Sequence, residues 1–242
     1  MNDKKFLQIP ALILGICGIL SVVIFGNFLY KIRALDNTLT VTGSARQKVV
    51  SDTGKLIGRF MRTIAINDLK TGYKTMEEDK NKVINFFKSQ GVEEKNMIIS
   101  AVSQQEIWKQ NEYDNKPKQY NLVQTIEINS NDVTKLDTLS KNFQSLVDQN
   151  VLFSIERVEY YYSKLPEYRI SMLSEAIKDA KARAEKIAAS SGKRVGIIKS
   201  ASAGVVQVLS PNSIDISDYG TYDTSSIDKE IMVTVKALFT IK

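Results

Sequence analysis

The stretch "EAIKDAKARAEKIAASSGKRVG", residues 175–196, decides how this chain is built. It is rich in alanine, carries more basic than acidic charge and stops at a glycine. Such a segment can be a basic stripe for nucleic acid, one strand of a coiled coil, or a helix packed on its own domain. Pro166, upstream, suits the first turn of a helix, because its missing N–H is unsatisfied there anyway. From it, Ile170, Leu173, Ile177, Ala180, Ala184 and Ile187 recur at spacings near three and four, which predicts one inward stripe. Asp179 and Arg183 form an i,i+4 pair in the favourable order, and Lys181 with Glu185 the reverse, so the opposite face is charged and partly self-cancelling. Gly192 suits the residue just past a helix, and Lys193-Arg194 suit its negative end. A strip that holds nucleic acid interleaves aromatics for stacking, and 175–196 has none. A coiled coil sustains its heptads for longer. The stretch therefore reads as a helix on a sheet, with no nucleic-acid partner.

The sheet is visible on both sides of it. Residues 38–49, rich in Thr and Val with rough alternation, read as one strand and 53–66 as a second. Ser51-Asp52-Thr53-Gly54 supplies turn chemistry between them, and lost alternation around Gly58 predicts a bulge. Residues 68–90 switch to helical spacing through Leu69, Tyr73, Met76, Lys80, Val83 and Phe87, capped by Asp68 and ended by Gly91. Residues 97–108 and 119–129 read as the arms of a long hairpin. Asp132 or Ser130 opens a helix with Val133, Leu136, Leu139, Phe143, Leu146 and Val147 on its apolar face. Residues 153–163, 194–203 and 229–241 are further strands, and the polar, turn-rich 205–228 reads as a long surface loop.

Composition narrows the chemistry. The 242 residues are 43% hydrophobic and 25% charged, with a formal net charge of +6, which fits a weakly basic soluble surface. There is one cysteine, Cys17, and no histidine. An internal disulfide, the usual zinc ligand sets and imidazole-based acid–base or nucleophile catalysis are thereby excluded.

Residues 9–30, from Ile9 to Tyr30, contain no charge, and a helix of that length spans the roughly 30 Å hydrocarbon core. Tyr30, Lys31 and Arg33 suit the interfacial belt. No small-x-small cleavage site follows, so the segment reads as an uncleaved anchor. Ala11, Gly15 and Gly18 are small residues through which two such helices could approach closely.

Other motifs carry little. Ser226-Ile227-Asp228-Lys229 fits S-x-x-K and Lys70-Thr71-Gly72 fits K-T-G, but their order is reversed relative to the serine acylases and the serine lies in a loop, so both read as chance. "SDTGKL" lacks the spacing of a phosphate loop. Glu77-Glu78 with Asp79 reads as a solvated acidic face. In Tyr160-Tyr161-Tyr162, alternation turns Tyr161 opposite its neighbours, as sheet surface rather than ligand platform. No catalytic, metal or cofactor residue is assigned.

With these elements in place, "EAIKDAKARAEKIAASSGKRVGIIKSAS" resembles the signature of the SIMPL-domain family, an alanine-rich helix running into a glycine and a strand. Leu39-Thr40-Val41-Thr42-Gly43-Ser44-Ala45 is similar to the family's opening strand, and "FFKSQGVEEKNMIIS" to its helix-end segment. The resemblance covers about 38–242. It implies an α+β domain made of a β-β-α unit, a projecting hairpin and an α-β-α-β-β unit. It also implies a bacterial extracytoplasmic setting, assembly in at least one member, and links to envelope and oxidative stress without an established catalytic activity. The expected organisation is a short cytoplasmic segment 1–8, a membrane anchor 9–30, a linker 31–37 and a domain 38–242, with the hairpin at 97–129.

The resulting expectation is a single-pass protein of the bacterial inner membrane with its domain in the periplasm. It is a non-enzymatic interaction or scaffold protein serving envelope maintenance or stress tolerance, whose partners are the membrane and either further copies of itself or an envelope protein. The charges flanking the span disagree mildly: Lys4 and Lys5 precede it, whereas Lys31, Arg33, Arg46 and Lys48 follow it and favour a cytoplasmic domain. Two other readings stand beside this one, a cytoplasm-facing adaptor and an enzyme or small-ligand or metal binder using oxygen ligands.

Overall fold

The computed structural model describes residues 3–34, 37–108 and 117–242, with 3–11 and 32–34 described by backbone alone. In chain order the elements are α1 (Asp3–Ala34), β1 (Thr38–Val50), β2 (Thr53–Ala65), α2 (Leu69–Ser89), β3 (Met97–Ile99), β4 (Ser103–Ile107) and β5 (Gln119–Ser130). There follow α3 (Val133–Lys141), α4 (Gln144–Asp148), β6 (Leu152–Tyr161), α5 (Leu165–Ser190), β7 (Val195–Ala203), β8 (Gln207–Leu209) and β9 (Asp228–Ile241). This is the expected α+β order. The chain divides into two compact units, one of Met1–Ala45, Arg169–Val205 and Val233–Lys242, the other of Arg46–Tyr168 and Val206–Met232.

In the first unit β9 lies between β1 and β7. β7 runs antiparallel to β9, with register shifts between Val195 and Ile198 and between Ile198 and Ser200. Two irregularities in one edge strand twist it and spoil it as a template for further pairing. Helix α5 covers one face, where Ala180 and Ala184 form a buried cluster with Val41, Ala237 and Phe239. The helix-on-sheet reading is correct, and Ala180 and Ala184 are buried as expected, but the rest of the expected stripe is not. The buried row is Met172, Ala176, Ala180, Ala184 and Ala188, while Ile170, Ile177 and Ile187 are 73%, 37% and 49% exposed and Leu173 is half-buried.

The reason is close approach. A Cβ on Gly43 would fall on the Ala176 carbonyl oxygen and the Ala180 nitrogen, so β1 touches the helix backbone itself. Only alanine leaves that gap closed. Isoleucine on the contact line would hold the helix off the sheet, so the i±4 ridge makes the contact and the isoleucines flank it. The same contact lets the Ser44 amide donate to Asp179 at 2.8 Å, beside the Arg183–Asp179 ion pair at 2.8 Å. The Ser44 amide first, and Arg183 second, hold the Asp179 carboxyl below the usual aspartate range. Gly192, with φ of 71°, closes the helix as expected. Its N–H donates to the Ala189 carbonyl at 3.0 Å and the Lys193 N–H to that of Ala188 at 2.9 Å, a Schellman pair.

The second unit holds a five-stranded antiparallel sheet ordered β3-β5-β2-β6, with β4 also on β5. A bulge does occur beside Gly58, but in the partner strand: Ile57 pairs with Arg157 and Gly58 with Ile155, so the extra residue is Glu156 of β6, while β2 pairs with β5 without a break. A Cβ on Gly58 would meet the Phe153 ring. The first hairpin arm is interrupted at residues 100–102, giving β3 and β4. Its second arm, β5, pairs with β2 from Gln119 to Ser130. The projection expected of the hairpin would belong to residues 109–116, which lie outside the described residues.

Helices α2, α3 and α4 pack on one face of this sheet around Leu56, Phe60, Met76, Val83, Phe87, Leu122, Ile126 and Leu136, all fully buried. Asp132 is the N-cap of α3, its carboxylate accepting from the Lys135 amide at 2.9 Å. Asp68 sits at the N-cap of α2 without a side-chain capping bond. Residues 205–228 are not one surface loop. β8 is buried at Gln207, Val208 and Leu209 and pairs with the start of β9, and the Asp223 amide donates to the Val208 carbonyl at 2.8 Å. Two adjacent aliphatics in a polar stretch are enough to seat it. Only the middle stands out, with Ile214 at 88% and Tyr219 at 96% exposure.

Candidate functional site

Three features of the described residues have the character of a working surface. The first is α1, in which Leu12–Lys31 has a mean hydropathy of 2.5 and no buried residue. The helix extends past both expected ends because the flanking charged residues remain helical. Tyr30 is 75% exposed, and Gly15 and Gly18 face open space. Ile9 and Ala11 lie in the helix, but their side chains are outside the described residues.

The second is an open polar cleft of about 440 Å³ in the second unit, lined by Thr53, Gly54, Lys55, Asn96, Asn129, Ser130, Asn131 and Tyr161. Lys55 pairs with Glu127 at 3.1 Å, and Asn129 donates to the same carboxylate at 3.1 Å. The Asn129 bond, ahead of Lys55, keeps the Glu127 carboxyl low against the opposing effect of burial. The Tyr161 hydroxyl donates to Glu159 at 2.9 Å. Burial and this carboxylate push the phenol up. The side-chain amides of Asn96 and Asn131 have no partner among the described residues. The cleft thus offers amide, hydroxyl and ammonium groups for hydrogen bonding.

The third is the turn before β9. Lys229 has a fully buried side chain whose ammonium donates to the Asp223 carbonyl at 2.5 Å and the Ser226 carbonyl at 2.8 Å, 5.8 Å from the centre of the Tyr222 ring. Burial lowers its pKa, against the pull of Asp223. Burial would likewise raise the Asp223 carboxyl, but the amides and hydroxyls of Ser225 and Ser226 outweigh it and hold it low. Ser226 and Lys229 are therefore an S-x-x-K pair in spacing only. The ammonium donates to main-chain carbonyls, and the serine hydroxyl donates to Asp223. Neither activates the other.

One sequence reading needs correction here. Asp79 is not solvated: it is 1% exposed and gripped by Arg62, Nε to Oδ2 at 2.5 Å and Nη2 to Oδ1 at 2.9 Å. Arg62 also donates to the Asn150 carbonyl at 2.7 Å. The signal was available, since Asp79 lies three residues after Met76 and four before Val83, on the buried stripe of α2. The buried Lys229 and the placing of Asn96 and Asn131 on one cleft had no comparable local sign. Tyr161 is half-buried on the cleft wall, Tyr160 is buried, and the Tyr162 phenol is pushed up to about 12 by burial and by Tyr168.

The apolar N-terminal helix, the opening strand against an alanine-lined helix and the order of elements are joined by one further finding. The family model SIMPL, described as a protein of unknown function (DUF541), matches residues 39–237. The chain belongs to the SIMPL family. Its SIMPL domain begins at the first strand after α1 and takes in both units. A search of curated proteins found no match to the chain.

Proposed function

We propose that this chain is a membrane-tethered interaction protein whose SIMPL domain stands outside the cytoplasm, on the outer side of a bacterial inner membrane. The observation that carries the reading is α1, in which residues 9–30 carry no charge and Leu12–Lys31 has no buried residue, joined to the domain by a few residues. A helix of this composition has no partner among the described residues of its own fold, and lipid is the solvent that suits it. The extracytoplasmic side is what the resemblance implies, against a flanking charge balance that mildly favours the reverse.

A non-catalytic role fits the way charge is used inside the domain. Asp79 and Lys229 are the buried ionic groups an active site would set to work; Lys229 is taken up by two main-chain carbonyls, and Asp79 by the Arg62 guanidinium, which also donates to the Asn150 carbonyl. The protein acts through its surfaces, alone or in several copies, in envelope maintenance or stress tolerance. A second reading, a small polar ligand in the cleft, is favoured by the unpartnered amides of Asn96 and Asn131. Thermal-shift screening with polyhydroxy and amide compounds tests it, since a ligand of the folded state raises the midpoint by mass action.

Topology is tested in intact cells with Ile214→Cys in a Cys17→Ser background, because Ile214 is 88% exposed. A membrane-impermeant thiol reagent should modify it without lysis. Protection until lysis would place the domain in the cytoplasm and overturn the reading.

A further inference from the structure

We infer that the anchor-proximal rim of the first unit is a docking surface for the headgroup layer of the bilayer that holds α1, and that its partner is anionic phospholipid. The inference rests on the anchor reading above and adds a partner to it.

The tether comes first. α1 ends at Ala34, and Asn37 is already held by the sheet, its carbonyl accepting from the Ile241 amide at 3.0 Å. Three Cα-to-Cα steps of about 3.8 Å separate Ala34 from Asn37, so the sheet starts within about 11 Å of the helix end. The apolar run stops at Tyr30, which adds only about 6 Å of helix beyond the hydrocarbon. Headgroups occupy roughly 5–8 Å on each side. The sheet cannot stand far from the interface.

Hydrogen bonds then identify the rim that meets it. The Arg194 amide donates to the Lys242 carbonyl at 2.8 Å, and the Lys242 amide returns the bond to Arg194 at 2.9 Å. With the Ile241–Asn37 bond, these gather the start of β1, the start of β7 and the end of β9 at one end of the sheet. The last turn of α5 joins them, through the Schellman bonds at Ala188 and Ala189 that lead to Lys193.

The chemistry of this rim suits a bilayer. Lys186, Lys193, Arg194 and Lys242 are exposed, with no ionic partner among the described residues. Exposed Lys31 and, in sequence, Arg33 lie at the end of the span, against Asp36 in the linker. Glu185 is the nearby acid on α5, and it faces Lys181 at 3.8 Å. Among these cations stand Ile187, Ile197 and Ile198, at 49%, 74% and 43% exposure. Isolated exposed isoleucines are ordinary. Isoleucines interspersed with cations beside a membrane span have the composition of an interfacial surface, in which aliphatic tips enter the headgroup boundary and cations meet phosphate. The far end of β7 is different, Ser200-Ala201-Ser202-Ala203, small and uncharged.

The test uses the full chain with Cys17→Ser, one copy per lipid nanodisc, and a single environment-sensitive fluorophore on Ile197→Cys or, as the far-end control, Ala203→Cys. The discs contain phosphatidylcholine alone or mixed with phosphatidylglycerol, plus a lipid-borne quencher. The Ile197 probe should be quenched several-fold more than the Ala203 probe in anionic discs. Lys193→Glu with Arg194→Glu should bring it down to the level in neutral discs, as should added salt. An Ile197 probe no better quenched than Ala203 in anionic discs overturns the inference while leaving the anchor intact. Shielding that appears only in discs carrying two copies makes the partner a second chain and also overturns it. A chain that never enters the disc fraction refutes the anchor reading, and the inference with it.

Discussion

The two units solve the same problem, a helix on a sheet, with opposite materials. In the first, the contact is made of what is missing: Gly43 opposite the backbone of Ala176 and Ala180, and an alanine row down α5. In the second, the contact is filled: Phe60, Phe87, Met76, Leu122 and Leu136 are fully buried, and Phe87 and Phe153 lie 6.0 Å apart. Backbone proximity gains dispersion contacts and a strand-to-helix hydrogen bond at Asp179, with little side-chain entropy lost. Large side chains bury more apolar area per residue. The lesson is that the two units are sensitive to opposite changes. Added volume breaks the first; lost volume breaks the second.

The largest expected effect is Gly43→Val. The new side chain would collide with helix backbone, which has no rotamer to yield, so urea unfolding in mild detergent should show a loss above about 4 kcal/mol. Phe87→Ala comes next, with a loss of about 3–5 kcal/mol from transfer and cavity together. If Gly43→Val were tolerated better than Phe87→Ala, the close-approach account of the first unit would fail.

A smaller and more selective effect belongs to Asp179. Its folded pKa lies below the ordinary 3.8, chiefly through the Ser44 amide. A depressed carboxyl contributes stability above the unfolded pKa and loses it as pH falls through the folded value. The parent should therefore lose stability below about pH 4 more steeply than Asp179→Asn, measured by urea midpoints across acid pH. Parallel curves would remove the Ser44 bond from the account. The smallest effect is expected of Lys181→Gln on the outer face of α5, within about 0.5 kcal/mol of the parent in the same assay.

Much of the fold was legible, and the exceptions share a cause. The helix end at Gly192 and the cap at Asp132 depend on backbone chemistry within a few residues, which sequence displays directly. The isoleucine stripe of α5 was misread because periodicity ranks residues by hydrophobicity, whereas this contact selects for smallness. Gly43, which sets the distance, lies far away in sequence. Asp79 was misread because a run of three acids suggested solvent, although its spacing from Met76 and Val83 put it on the buried face, where Arg62 meets it. The break at residues 100–102 depends on pairing with β5, which no local pattern shows, and the aliphatics that seat β8 count only once it pairs with β9. Of the candidate surfaces, the apolar helix α1 was evident from composition alone. The cleft of Asn96 and Asn131 depends on strand ends brought together by the sheet, so only the fold could supply it.

The most direct measurement of the central claim, that the alanine row and not the isoleucines carries the first unit's packing, compares Ala180→Glu with Ile177→Glu. Both place a carboxylate on α5, three residues apart. Urea unfolding of the full chain in detergent, with the mass of each variant measured by size-exclusion light scattering, separates them. The account predicts that Ala180→Glu, at a position with no exposure, loses several kcal/mol by burying an unpaired charge, and that Ile177→Glu, at 37% exposure, loses under about 1 kcal/mol. The reverse ranking, or an Ala180→Glu chain that stays as stable as the parent and changes only its mass, would contradict it.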